Sequence, residues 1–150
     1  MQMAEAAGPA RTIVDPDDFL QPGDMPARIA AWCGGRSLEA PKTKGEFCRT
    51  ILESLAHRYR DVLEGLEGLT GSRIHTIHIV GGGSRNSLLN QLVADVTGRK
   101  VVAGPIEATA AGNLLVQAIG AGEVSGIDEA REIVRQSFQI AEFQPKPESR

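Results

Sequence analysis

One passage in the middle of the chain constrains the fold more than any other. Residues 74–80 (IHTIHIV) are β-branched and nearly continuous in apolar character, which predicts a buried strand. The run stops at Gly81-Gly82-Gly83-Ser84-Arg85-Asn86. Apolar residues then return at steps of three and four, at Leu88, Leu89, Leu92, Val93 and Val96, until Gly98. A change of period from continuous to helical across a glycine turn predicts strand, turn and helix, with the helix opening between Ser84 and Asn86. Lys100-Val101-Val102-Ala103 then supplies a second strand. Two strands joined through a helix run parallel, so the unit predicts an α/β fold.

The flanking sequence adds helices. Thr43-x-x-Glu46 is a capping box. Phe47, Ile51, Leu55, Tyr59, Val62, Leu63 and Leu66 mark one buried stripe of a long helix that Gly65 and Gly68 bring to an end. Upstream, Asp24 caps a short helix with Pro26 in its first turn, running to about Trp32 before Gly34-Gly35. Downstream, Glu107 or Thr109 opens a helix with Leu114, Leu115, Ala118 and Ile119 on its apolar face. Gly120 or Gly122 ends it. Ser125-x-x-Asp128 caps a last helix that turns Ile127, Ala130, Ile133 and Val134 inward. Residues 11–14 and 137–143 are weaker extended segments. Residues 1–10 are expected to be a disordered tail or an appended remnant, 11–143 the domain, and 144–150 a second tail. Two strong strands make a narrow sheet, and a bare unit of that size leaves an edge and a face exposed. Further sequence upstream is therefore expected.

Composition excludes several functions. The formal net charge is -3 and the basic residues are scattered, so no stripe offers itself to nucleic acid or an anionic membrane. No apolar run approaches the ~20 residues of a membrane span, and the start lacks a secretory pattern. The cytosol is the expected compartment. The spacing of Cys33 and Cys48 fits no zinc motif, and two free thiols are expected. The acids at 15–24 lack the glycine and glutamate positions of a calcium loop and read as caps and turns. His75 and His78 stand at odd spacing, on opposite faces of a strand, and cannot chelate one ion together.

The chemistry therefore rests on the glycine turn. Glycines allow positive φ and let a ligand sit against bare main chain. The N–H groups of the following helix start favour an anion. A dinucleotide fingerprint does not fit, because Asn86 stands where its last glycine belongs and the second strand ends in Ala103-Gly104 without an acid. A phosphate-binding P-loop does not fit either, for want of Gly-Lys-Ser/Thr.

These residues resemble the FGGY carbohydrate kinases. The match is carried by 77–123 (IHIVGGGSRNSLLNQLVADVTGRKVVAGPIEATAAGNLLVQAIGAGE), by DPDDFLQPGDMP at 15–26 and by GEFCRTILESLAHRYR at 45–60. The glycine loop is general to the family. The GPIEATAAGN and DPDD stretches point to its L-rhamnulose branch. The resemblance implies a ribonuclease H-like, actin-like ATPase domain, of which this chain is an incomplete C-terminal half. It further implies nucleotide binding by Gly81, Gly82, Gly83 and Asn86, with Gly82 the foremost direct contact. Gly112 would back the pocket. Glu107 reads as a carboxylate favourable to a helix N-terminus. ATP with magnesium is the implied cofactor, and an N-terminal kinase domain the implied partner. That missing domain would supply the phosphate grip, the sugar site and the catalytic base. No catalytic residue and no metal ligand is assigned in this chain. L-rhamnulose is a substrate only of the full-length protein, and the isolated chain is expected to be inactive. A non-enzymatic module reusing the fold remains the alternative.

Overall fold

The computed structural model describes residues 2–146. Its elements are α1 (Gln2–Ala6), α2 (Met25–Gly34), α3 (Lys44–Thr70), β1 (Thr76–Ile79), α4 (Ser87–Thr97), β2 (Lys100–Ala103), α5 (Ala108–Gly120), α6 (Ile127–Ser137) and β3 (Ala141–Phe143), with single 3-10 turns at Pro16–Phe19 and Gly81–Arg85. The three strands form one mixed sheet in the order β1-β2-β3. β1 and β2 are parallel, with Ile77 opposite Val101 and Ile79 opposite Ala103, and β3 runs antiparallel to β2.

The register divides the side chains between two faces. Ile77, Ile79, Val101 and Phe143 pack against α4 and α3, where Ala56, Leu92, Val93 and Ala94 complete the main core. Thr76, His78, Val102 and Glu142 point the other way, into an open groove of about 970 Å³ whose far wall is α5 and α6. The continuous apolar run of β1 is thus buried on one face only, and Val80 is 52% exposed. A second, smaller core gathers Val14, Ile29 and Cys33 with Phe47 and Ile51 of α3. α3 serves both cores along its 27 residues, about 40 Å at 1.5 Å per residue.

The caps follow the sequence closely. Thr43 Oγ1 accepts from the Glu46 N–H, and the Glu46 carboxylate reaches back to the Lys42 N–H. Asp24 caps α2, and Gly98 closes α4 with φ of 63°. The acids at 15–18 are used as turn chemistry: Asp15 accepts from the Asp17 N–H and Asp18 from the Trp32 indole. Both cysteines are free thiols, and burial pushes the Cys33 thiol up.

Several expectations need correction. The first residues are not a disordered tail: α1 docks on α3, with Ala4 buried at the contact. Docking is possible because Gly45 has no side chain, since a Cβ there would run into the Met3 carbonyl. Residues 11–14 form no strand. The Val14 N–H donates to Ser54 Oγ instead of to a neighbouring strand. α3 runs through Gly65 and Gly68 and is capped by Gly71, at φ of 66°. Tyr59, Val62 and Leu66, expected in a buried stripe, are exposed. Leu114 and Ile127 are exposed as well, and no residue of α5 is fully buried. Gly126, not Ser125, stands at the N-cap of α6, and Ser125 bonds Glu129 rather than Asp128. Residues 144–146 are tied to α4, through Gln91 on the Gln144 carbonyl and the Lys146 N–H on Asp95. The rest of the expected C-terminal tail, 147–150, lies outside the described residues.

Candidate functional site

The site is built where the two parallel strands end. β1 runs into Gly81, with φ of 73°, and β2 into Gly104, with φ of 119°. The two turns are bonded to each other: Gly104 N–H donates to the Ile79 carbonyl at 2.8 Å, and Gly81 N–H to the Pro105 carbonyl at 3.0 Å. The carboxyl ends of parallel strands are where ligands gather in open α/β sheets. Here those ends form one rim at the mouth of the groove, which Val80, Gly104, Pro105 and Gly112 line, while Gly81, Gly82, Gly83 and Asn86 are not among its lining residues.

The expected loop at 81–83 is wound into a 3-10 turn reaching Arg85. Ser84 Oγ donates to the Gly81 carbonyl at 2.7 Å and closes the turn from within. Its three glycines differ in role. Only Gly81 has positive φ, so only Gly81 needs glycine for its backbone. Gly83 is exposed, but a Cβ added there would sit 3.6 Å from the Ile79 methyl. Gly82 has nothing within 4 Å of its Cβ position, and it is exposed, as Gly83 is. Asn86 caps α4, its Oδ1 accepting the Leu89 N–H at 2.9 Å. That bond uses one of the free donors at the helix start, which narrows what α4 can offer an anion. Glu107 occupies the N-cap position of α5 without a side-chain capping bond. His78 faces the groove, while His75 lies outside the strand and is exposed.

Sequence reasoning missed the second half of the rim. Gly104-Pro105 was legible as a turn, but its bonding to the first glycine turn depends on register, which local sequence does not state. It also missed how the base of the site is held. Glu67, near the end of α3, accepts the Ile74 N–H at 2.7 Å and pairs with Arg99, whose Nε donates to the Ile74 carbonyl. The Ile74 hydrogen bond above all, with Arg99 beside it, holds the Glu67 carboxyl below the usual range. Together these contacts pin the entry to β1.

A family model for the C-terminal domain of the FGGY family of carbohydrate kinases matches residues 1–121. The chain belongs to that family. The match takes in α1 and both glycine turns. A rhamnulokinase of Bacteroides thetaiotaomicron is 42% identical over 145 residues, covering 95% of this chain and 30% of the relative. A rhamnulokinase of Bacillus subtilis is 45% identical over 150 residues, covering 97% and 31%. The chain thus spans about a third of the length of the curated relatives it matches. Among solved structures, xylulose kinase from Rhodospirillum rubrum is similar with a TM-score of 0.54 and 26% identity, over 73% of this chain and 22% of that one. The mixed sheet and its helices accord with the actin-like ATPase fold. Among the described residues no helix is long and apolar enough to cross a membrane, and no group of three His, Cys, Asp or Glu could hold a metal ion.

Proposed function

We propose that this FGGY domain is the adenosine-binding part of an ATP-dependent sugar kinase that converts L-rhamnulose to L-rhamnulose 1-phosphate. The observation that carries the nucleotide reading is the rim: two bonded glycine turns at the ends of parallel strands, with Gly82 open to solvent beside an apolar groove. Bare main chain at Gly82 suits the flat approach of a nucleoside, and Gly81 and Gly83 shape that turn. Asn86 holds the helix start behind it through its capping bond. The rhamnulokinase relatives support the choice of sugar. ATP brings magnesium on its phosphates, and the sugar, the catalytic base and the grip on the γ-phosphate are assigned to the preceding two thirds of the kinase.

Phosphoryl transfer works by orienting the acceptor and neutralising charge at the γ-phosphate. A domain holding only the adenosine end does neither. Loss of orientation alone forfeits roughly 7–11 kcal/mol of barrier lowering. The 150-residue chain by itself therefore turns over no sugar.

The test compares this chain with a polypeptide of the relatives' full length in a coupled ADP-release assay. L-rhamnulose is offered against fuculose, xylulose and glycerol. The long polypeptide should prefer L-rhamnulose, and the short chain should give no sugar-dependent ADP. Gly82→Val in the long polypeptide should weaken ADP binding at least about tenfold, ~1.4 kcal/mol. Its melting temperature should hold, because Gly82 has open space and ordinary φ. Undiminished ADP affinity would remove the turn from the site, and turnover by the short chain would overturn its assignment as the adenosine half.

A further inference from the structure

Asn90 is a polar residue placed where packing alone gives it no reason to be. It is fully buried on α4, beside Leu92, Val93 and Ala94 of the main core. No donor among the described residues reaches its Oδ1. A buried acceptor without a partner costs stability, and a leucine of nearly the same shape is both a better helix former and free of that cost. What asparagine has and leucine lacks is Nδ2. That group donates to the Ser84 carbonyl at 2.9 Å, six residues back in the glycine turn. Ser84 in turn holds the Gly81 carbonyl. A line of hydrogen bonds thus runs from the helix core to the rim.

We propose that Asn90 is a positioning residue for the nucleotide turn. It fixes the 3-10 shape of Gly81–Arg85 from behind, at the expense of its own unpaired oxygen, so that Gly82 faces outward before any ligand arrives. The role rests on the nucleotide reading above. It is distinct from the capping role of Asn86, which holds the helix and not the turn.

The proposal separates local order from overall stability. Asn90→Leu removes the latch and also the unpaired acceptor, so the melting temperature of the 150-residue chain should stay level or rise. In the same variant the Asn86 amide, bonded to the Gly83 carbonyl within the turn, should exchange with deuterium faster. The increase should reach up to about tenfold, the change that one lost neutral hydrogen bond allows. Amides of α3 and β2 should keep their rates. In the polypeptide of full relative length the variant should bind ADP more weakly by a similar factor. Asn90→Ala, which fits any helix, repeats the measurement if the leucine variant folds poorly. Unchanged exchange at Asn86 overturns the proposal. So does uniformly faster exchange with a fallen melting temperature, which makes Asn90 a plain core residue. If ADP affinity drops in Gly82→Val but not in Asn90→Leu, the positioning role fails while the nucleotide site stands. If neither variant alters ADP affinity, the nucleotide reading itself fails, and the positioning role with it.

Discussion

Glu67 shows how one side chain pins the entry to β1, at the end of the strand away from the site. Its carboxylate accepts the Ile74 N–H and pairs with Arg99 at the foot of β1. The folded state favours its ionised form, so its pKa lies below the ordinary glutamate value of 4.5. A depressed carboxylate lends stability that is whole above its unfolded pKa and is lost as pH falls through the folded one. Wild type should therefore outlast Glu67→Gln at pH 7, and the gap between their melting temperatures should narrow as pH drops below about 4.5. A gap that stays constant from pH 7 to pH 3 would sink this account. The same residue shows a limit of sequence reading. Glu67 is one of several acids on α3, and nothing local marks it, because its partners lie 7 and 32 residues away.

At the scale of elements, the strand–turn–helix–strand unit and the helices beside it were legible, while α1, the absence of a strand at 11–14 and the pattern of burial were not. Both parallel strands, the capping box of α3 and the glycine closing α4 follow from local chemistry. The stripe on α3 was misjudged because period reports which face is apolar and not what covers it. Its most buried positions include Gly45, Thr50, Ser54 and Ala56, small residues that allow close approach. Gly45 is the clearest case, since α1 rests directly on it. Gly45→Ala should lift α1, with a loss of ~1–3 kcal/mol from overpacking. Amides near residues 4–6 should lose protection while those of β2 keep theirs. Full protection of α1 in that variant would mean that the contact is looser than its geometry implies. The glycine turn shows the same division. Its place was readable, but positive φ falls on Gly81 alone, because only there does the chain leave the sheet and bond across to Pro105.

Among the described residues, apolar side chains lie bare in the groove between the sheet and α5–α6 and on the outer face of α3 at Tyr59, Val62, Leu66 and Leu69. Contiguous exposed apolar residues are candidates for contact with further sequence, and the relatives carry roughly twice this much sequence again. The 150-residue chain should bind a hydrophobic dye such as ANS strongly, and a polypeptide of full relative length should bind less of it per molecule. Equal dye binding would show that the added sequence covers neither surface. The paired glycine turns carry a different consequence, one for heredity. Because each turn takes a main-chain bond from the other, the rim is a single object encoded in two separated stretches of the gene. A recombination crossover falling between residues 82 and 103 joins turns from two parents, yet main-chain groups are common to every sequence, so chimeras that keep Gly81 and Gly104 should fail no more often than those that inherit residues 79–106 intact.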